Sequence, residues 1–204
     1  MENNQSEVTF YETTHRYILN KTGKELIAVS RILELAGVIS FEKVPFEIRE
    51  RAAFMGDCIH ETARLYAKNQ LDVESLDEIL KGHYESIKKF HIDRVKKLLF
   101  VEQIVFDSKL GYAGTVDIVY QDQDNHVCLD DFKSGLILPA VKLQTALYKN
   151  AFEKNYAIKV DERASVYLNG GGTYKREVYR DKQDFHDAMN CVGVAFWKLK
   201  NKVK

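Results

Sequence analysis

The sequence predicts an α/β protein in which a mainly helical first half precedes a second half that carries a β-sheet. Between Pro45 and Lys68, and again between Val73 and Leu99, long stretches without proline have the residue pattern of helices. From residue 101 onward the pattern changes to short runs rich in β-branched and aromatic residues, which favour strands. The polar segment 121–125 separates two of these runs and predicts an antiparallel hairpin.

Residues 1–98 are expected to form a short hairpin followed by helices. The predicted strands cover residues 9–11, 17–19 and 26–29. Ser30 is a candidate N-cap for a short helix over residues 31–36, which Gly37 ends. Pro45 suits the first position of the next helix, and Gly82 marks a point where the following helix could break.

Residues 99–180 are expected to contain the main sheet, and residues 181–204 a closing helix with a basic tail. The predicted strands cover residues 101–106, 114–120, 127–132, 163–168 and 174–179, and the predicted helices cover residues 141–155 and 184–198. The glycine run at 170–172 lies between two strands rather than before a helix, so a hairpin turn is favoured over a phosphate-binding loop. No linker, repeat or biased tract divides the chain, and residues 1–204 are predicted to form a single domain.

Composition excludes several broad classes of protein. The chain has 204 residues, 45% of them hydrophobic, with 30 basic and 30 acidic side chains. A domain of this size can bury roughly 70% of the surface that its unfolded chain exposes, which argues against intrinsic disorder. Zero formal net charge argues against a polybasic coat on nucleic acid but leaves room for a basic cleft on one face.

The sequence shows no signal for a membrane or for export. No run approaches the ~18 to 20 apolar residues of a membrane-spanning helix, and the first ten residues are acidic and polar, unlike a secretory leader. The cysteines, Cys58, Cys128 and Cys191, are far apart and include no C-x-x-C pair. Neither a zinc ribbon nor a four-cysteine iron–sulfur cluster is therefore expected, and a reducing cytoplasm is the predicted location.

The most informative stretch for chemistry is the predicted hairpin that carries Asp117, Asp131 and Lys133. Side chains alternate along a strand, so Asp131 and Lys133 point to the same face. On the neighbouring strand Asp117 is expected to share a face with Thr115 and Val119. Antiparallel pairing can then place Asp117 beside Asp131 with Lys133 in reach, a set suited to a hard divalent cation and an oriented water.

A plain surface ion pair is the alternative interpretation of these charges. An acid followed two residues later by lysine is expected roughly once or twice by chance in a chain of this length, and Asp107 with Lys109 provides a second case. That second case lacks another acid one hairpin away. Asp131, in contrast, interrupts an apolar strand, where a carboxylate is costly unless it binds something.

Further residues could complete such a site, although each also has a structural explanation. Gly56 and His60 lie four apart on a predicted helix, so the glycine could let the helix approach the sheet and direct the imidazole toward the acids. Glu102 lies on the strand before the hairpin, where it could bind a metal through water or remain an exposed strand-end acid. Gln144 and Tyr148 lie one helical turn apart and could equally form a partly exposed helix face.

Two other motifs do not carry a function. His60 and Glu61 begin like the zinc-protease sequence H-E-x-x-H, but Arg64 occupies the place of the second histidine, which excludes that class. No G-x-x-x-x-G-K-[ST] sequence is present, so no fused helicase motor is expected.

Basic residues cluster in two places. One group could follow phosphates or form a solvated helix face: Lys88, Lys89, Arg94, Lys96 and Lys97. The lysine-rich tail after residue 198 could likewise be a simple solvated end.

Taken in order, these elements resemble the RecB-type branch of the PD-(D/E)XK nuclease superfamily. The matching series consists of Gly56 with His60, then Glu102, then GTVDIV at 114–119, then DDFKSG at 130–135, then Gln144 with Tyr148. The resemblance covers about residues 51–150. The opening segments THRYILN and VSRIL are also similar to the start of phage-encoded exonucleases of this branch. The iron–sulfur cluster of some related nucleases has no cysteine ligands here.

The resemblance implies a restriction-endonuclease-like core, with a mixed four- or five-stranded sheet flanked by helices. It implies one or two Mg²⁺ or Mn²⁺ ions bridged by two carboxylates, a catalytic lysine, and residues that support the site or touch DNA. The implied metal ligands are Asp117, Asp131, His60 and the Phe132 carbonyl; the implied catalytic lysine is Lys133; Glu102 would hold a metal or its water, and Gly56, Gln144 and Tyr148 would support the site.

Two functions remain open from the sequence. The first is a metal-dependent deoxyribonuclease, expected to be an exonuclease in phage or bacterial DNA recombination or repair. The second is a nucleic-acid-binding subunit of the same fold that is non-catalytic or depends on a partner. DNA, a recombination or helicase protein, and further copies of the chain are the candidate partners, and no membrane partner is expected. A metal-dependent phosphatase is disfavoured because no phosphate-binding helix start lies near the acids.

Overall fold

The computed structural model describes residues 7–135 and 138–203 and confirms an α/β fold. The strands are β1 (Val8–Tyr11), β2 (Arg16–Leu19), β3 (Lys24–Ala28), β4 (Lys97–Asp107), β5 (Tyr112–Gln121), β6 (Val127–Lys133), β7 (Glu162–Leu168) and β8 (Tyr174–Tyr179). The helices are α1 (Val29–Leu35), α2 (Phe46–Ala67), α3 (Glu78–Arg94), α4 (Val141–Tyr156) and α5 (Gln183–Asn201). None of these helices is both long and apolar enough to cross a bilayer.

Within the described residues, a single mixed sheet of eight strands organises the fold, and β5 is its central strand. One edge of β5 pairs with the antiparallel β4 along nearly its whole length. The other edge pairs first with the parallel β3, at Tyr112 and Ala113, and then with the antiparallel β6, from Ile118 to Gln121. β6 continues to the parallel β7, and β7 to the antiparallel β8.

The strand count is larger than the four or five strands that the resemblance implied. The difference comes from the first 28 residues, because β3 pairs with the start of β5 and thereby joins the hairpin β1–β2 to the same sheet. The antiparallel hairpin predicted across segment 121–125 is present as β5 and β6.

Helices cover both faces of the sheet and create two main cores. On one face α1, α4 and α5 pack over residues such as Val119 and Leu129. On the opposite face α2 and α3 pack over residues such as Tyr120 and Cys128. The alternation of neighbouring residues between these two cores is the period of two that predicted the strands.

Four predicted helix boundaries are wrong by one to five residues. Ser30 lies inside α1, which begins at Val29, and Pro45 precedes α2 rather than occupying its first turn. The predicted helix 73–99 is shorter at both ends, because Asp77 caps α3 through the Ile79 N–H and β4 begins at Lys97.

Gly82 does not break α3 but lets this helix approach the sheet. A Cβ atom at this position would overlap the carbonyl oxygen of Gly170 in the turn between β7 and β8. Nearby, the Ser86 hydroxyl lies 2.5 Å from the Asn169 carbonyl oxygen and 2.7 Å from that of Thr173. The glycine-rich segment 170–172 is therefore a hairpin turn that docks on α3.

We expect Gly82→Ala to lower the melting temperature, because the new methyl group forces α3 away from the turn. Overpacking of this kind costs roughly 1–3 kcal/mol. Gly193→Ala is the matched control, since Gly193 is also inside a helix but has nothing within 4 Å of its added Cβ. The control should gain up to about 1 kcal/mol from helix propensity. Equal effects in both variants, followed by thermal denaturation, would contradict the close approach.

Candidate active site

Three elements bring a histidine and two acids together at the centre of the sheet. His60 comes from α2, Glu102 from β4 and Asp117 from β5. One ligand atom from each of these side chains lies within 4.8 Å of the others. The His60 Nδ1 atom is 3.3 Å from the Asp117 Oδ1 atom. These residues are distant in sequence, and the pairing of β4 with β5 and the packing of α2 on the sheet assemble them.

Asp131 and Lys133 join this cluster where β5 and β6 separate. In chain order, Ile118 is the first residue of β5 that pairs with β6, and it lies opposite Asp130. Just beyond this pair, the Phe132 N–H donates a hydrogen bond to the Asp117 Oδ2 atom at 2.5 Å. The Lys133 Nζ atom lies 2.5 Å from the Asp131 Oδ2 atom.

The predicted face of Asp117 requires a correction. Strict alternation places Thr115, Asp117 and Val119 on one face, but Val116 and Val119 both pack in the core beneath α4. Ile118 lies in the opposite core, so the alternation of β5 breaks around Asp117.

The β4 residue opposite Asp117 is itself in an unusual conformation. Glu102 has a φ of 50°, which lies in the left-handed region that residues other than glycine seldom adopt. Inside a strand, where no turn or helix cap requires it, such a backbone is strained, and strain of this kind clusters at functional sites. Together with the broken alternation of β5, it brings the Glu102 carboxylate within reach of Asp117 and His60.

Charges are buried in this cluster, and their pKa values shift accordingly. Asp117 raises the pKa of His60 to about 9. Burial, with the Asp117 charge as a further cause, raises the pKa of Glu102 to about 7. Burial alone would also raise the pKa of Asp117, but His60, Lys133 and the Phe132 N–H outweigh it and lower this pKa.

The pair formed by Asp131 and Lys133 is also perturbed. Burial raises the pKa of Asp131 to about 6, although the Lys133 charge opposes this shift. Burial disfavours the charged ammonium of Lys133, but Asp131 and Asp117 outweigh it and raise the pKa of Lys133. Lys133 is therefore a charged ammonium at neutral pH.

Gln144 and Tyr148 lie beside the acids rather than on an exposed helix face. The Gln144 Nε2 atom donates to the Asp131 Oδ1 atom at 3.3 Å and to the Tyr148 hydroxyl at 2.9 Å. Tyr148 is 6% exposed. A Cβ atom at Gly114 would overlap the Tyr148 ring, so the glycine that precedes Thr115 makes room for this side chain.

Gly56 does not serve the purpose expected from the sequence. A Cβ atom there would meet only the Ser134 hydroxyl oxygen, at an ordinary contact distance of 3.7 Å. The approach of α2 to the sheet therefore does not depend on a glycine at this position. His60 nevertheless faces the acids, as the helical spacing indicated.

Two tyrosines near the site were missed at the sequence level. The Tyr17 hydroxyl is 3.0 Å from the Thr115 Oγ1 atom, and Tyr167 is the register partner of Lys133 on β7. Tyr17 lies in the predicted strand 17–19 and in the segment THRYILN, neither of which indicated that this side chain reaches the site. Nothing local in the sequence marks Tyr167, since its place beside Lys133 depends on the register of two strands that are distant in sequence.

Other charged groups named in the sequence have structural partners. Asp107 accepts hydrogen bonds from the Lys109 and Leu110 N–H groups and pairs with Lys154, so this second acid–lysine pair stabilises a turn. The basic cluster around α3 is also largely paired: Lys88 with Glu85, Lys89 with Asp93, Arg94 with Asp122 and Lys96 with Asn125. This pairing favours a solvated helix face over a phosphate track.

A second acidic group lies in the turn between β5 and β6. It contains Asp122, Asp124 and His126, whose ligand atoms are also within 4.8 Å of one another. The Asp122 Oδ1 atom already accepts hydrogen bonds from the Asp124 and His126 N–H groups, so this carboxylate shapes the turn.

The central cluster fits a divalent cation better than the turn does. Its donors are two carboxylates and one imidazole, a mixture that suits Mn²⁺ and, through the oxygens, Mg²⁺. The buried Oδ2 atom of Asp131 contacts the Lys133 ammonium at 2.5 Å but makes no well-aligned hydrogen bond with the described residues, so it can still accept a further partner. A cation bound beside it would be such a partner.

Comparison with known proteins supports the fold. No protein-family model and no curated protein sequence matches the chain. Among solved structures, a "putative exonuclease" from Eubacterium rectale matches with a TM-score of 0.55 and 11% sequence identity, over 87% of this chain and 82% of that chain. A protein called SSO0001 matches with a TM-score of 0.42 and 16% identity, over 84% of this chain and 75% of that chain. The first of these likenesses shows that the two chains share a fold.

We expect Mn²⁺ to raise the melting temperature through the central cluster. At a free concentration 100 times the dissociation constant, one bound ion contributes about 2.7 kcal/mol. For a chain of this size that corresponds to roughly 5–10 °C. Asp117→Asn should remove the shift, whereas Asp124→Asn, in the turn cluster, should leave it unchanged. A shift that survives Asp117→Asn and disappears in Asp124→Asn would assign the metal to the turn instead.

Proposed function

We propose that the protein is a divalent-metal-dependent deoxyribonuclease that hydrolyses phosphodiester bonds and acts as an exonuclease. One observation carries the proposal: a cluster suited to a cation, formed by His60, Glu102 and Asp117, lies directly beside a charged lysine held on Asp131. The shared fold with an exonuclease-named structure supports the same reading at the level of architecture.

The proposed metal ligands differ in their protonation state at neutral pH. Asp117 is ionised at neutral pH because His60, Lys133 and the Phe132 N–H stabilise its charge. His60 and Glu102 must release protons before they can ligate, since their pKa values are about 9 and about 7. Asp131 and the Phe132 carbonyl complete the proposed ligand set. When bound, Mg²⁺ or Mn²⁺ would supply polarisation of the scissile phosphate and activation of a water nucleophile.

In this proposal the Lys133 ammonium acts as a positively charged hydrogen-bond donor. Because Asp131 and Asp117 keep it protonated, it orients the attacking water and stabilises negative charge on the phosphate rather than accepting a proton. Asp131 fixes the position of the ammonium through the 2.5 Å contact. Gln144 holds the other oxygen of Asp131, and Tyr148 holds Gln144, so both support the site through Asp131.

A partner-dependent nucleic-acid-binding subunit is the second candidate, and a specific feature favours it. The first half of α2 is exposed on all sides and carries large apolar residues, among them Phe46, Ile48 and Phe54. Apolar exposure of this kind often marks a protein–protein contact. The cations around α3 also lie beside acids such as Glu85 and Asp93, which lowers the net positive charge available there to hold DNA. In this second candidate, a recombination or helicase protein, or further copies of this chain, would supply the contacts that hold DNA.

The biological setting is proposed from the resemblance rather than from the geometry. We place the activity in phage or bacterial DNA recombination or repair, with DNA as the substrate. Cys58, Cys128 and Cys191 are all free thiols, which fits the reducing cytoplasm of a bacterial cell or a phage-infected host.

The direct test is cleavage of end-labelled linear DNA and of covalently closed circles, in single- and double-stranded forms, with Mg²⁺, Mn²⁺ or EDTA. We expect cation-dependent loss of linear DNA only. Lys133→Ala should lower kcat by about 100- to 1,000-fold, as for removal of a donor that stabilises transition-state charge. It should still bind DNA and metal.

Lys109→Ala is the matched control for this test, because Lys109 belongs to the second acid–lysine pair and lies away from the cluster. It should cleave like the wild type. Cutting of circles would make the protein an endonuclease. Absence of cleavage under every condition would favour the partner-dependent subunit, and a fully active Lys133→Ala variant would refute the role of the lysine.

A further inference from the structure

Tyr167 presents a buried hydroxyl group to the proposed site. It lies on β7 as the parallel register partner of Lys133 on β6, so the two side chains emerge on the same face of the sheet. Tyr167 is 8% exposed, and its side chain lies near enough to Lys133 to contribute to the raised pKa of this lysine. Tyr179 also lies near enough to interact with this hydroxyl.

The Tyr167 hydroxyl makes no hydrogen bond of acceptable geometry with any of the described residues. The other buried tyrosines differ in this respect, because the hydroxyls of Tyr17, Tyr112, Tyr120 and Tyr148 all have partners. A buried hydroxyl without a partner destabilises a folded protein. Such a cost is tolerated where a ligand supplies the missing partner.

The neighbouring groups leave the proton of the Tyr167 hydroxyl without an acceptor. Tyr179 interacts with the Tyr167 oxygen, but its hydroxyl donates to the Ser165 hydroxyl at 3.1 Å and does not accept from Tyr167 in hydrogen-bond geometry. Lys133 is a donor whose ammonium lies against Asp131. The missing partner is therefore a hydrogen-bond acceptor. Because it would bind next to the positive charge of Lys133, an anion suits this position best.

We propose that Tyr167 is a catalytic residue whose hydroxyl donates a hydrogen bond to a non-bridging oxygen of the scissile phosphate. The inference rests on the deoxyribonuclease proposed above and adds to it a second donor beside Lys133. A hydroxyl and an ammonium on one face can hold two oxygens of a phosphate, and hydrogen bonds to charged oxygens are stronger than neutral ones. The contact strengthens as charge develops on the phosphate in the transition state.

Tyr167→Phe removes only the hydroxyl and therefore tests this role directly. We expect kcat for DNA cleavage to fall about 10- to 100-fold while KM stays within about twofold, because the contact acts mainly in the transition state. The melting temperature without DNA should stay the same or rise, since an unsatisfied hydroxyl is lost. With a phosphorothioate substrate, one diastereomer should show a smaller penalty, because sulfur is a weak acceptor.

Tyr156→Phe is the control, because the Tyr156 hydroxyl bonds to the Ile104 carbonyl oxygen at 3.1 Å, away from the cluster. It should leave kcat unchanged and lower the melting temperature slightly. An unchanged kcat in Tyr167→Phe, beside an active wild type, would overturn only the inference about Tyr167. A lowered melting temperature in Tyr167→Phe would also overturn it, since the hydroxyl would then have a structural partner. A wild type that cleaves no DNA would remove the proposed nuclease and this inference together.

Discussion

The arrangement of the site depends on the separation of β5 from β6 just beyond Ile118. At that point a backbone N–H of β6, from Phe132, donates to the Asp117 carboxylate instead of to a carbonyl of β5. The side chain thus replaces a ladder hydrogen bond, which ties the two strands together while they diverge. Divergence leaves space between the acids on the two strands, and α2 and α4 close that space from opposite faces of the sheet with His60 and Gln144. Without this exchange Asp117 would lose its hold on β6.

Two adjacent buried acids on β6 differ in how completely their carboxylate oxygens are paired. Asp130 is fully buried, but Arg176 binds both of its oxygens and the Tyr120 hydroxyl binds one of them. Asp131 points to the opposite face and is compensated only in part, by Lys133 and Gln144. A buried carboxylate whose partners are complete stabilises a fold, whereas one whose partners are incomplete has capacity left for a ligand. The same argument applies to the Tyr167 hydroxyl across the sheet.

Much of the fold was predictable from local pattern, because the strands and helices have clear periods and the polar turn at 121–125 fixes one hairpin. Hairpin parity also indicated that Asp117, Asp131 and Lys133 meet, and helical spacing directed His60 toward them. Nonlocal features were out of reach. The left-handed conformation of Glu102 and the broken alternation of β5 arise from pairing between strands. The residue types in these strands do not favour either feature locally. The joining of β1–β3 to the sheet, the register that places Tyr167 beside Lys133, and the close approach at Gly82 are set by tertiary contacts in the same way.

The central claim is that the cluster of His60, Glu102 and Asp117 holds a divalent cation next to Lys133. Anomalous diffraction from crystals grown with Mn²⁺, collected at the manganese edge, locates the ion without reference to catalysis. We predict a peak within coordination distance of these three side chains, with Asp131 contributing an oxygen. A peak confined to the turn formed by Asp122, Asp124 and His126, or an ordered central cluster with no peak at saturating Mn²⁺, would contradict the account.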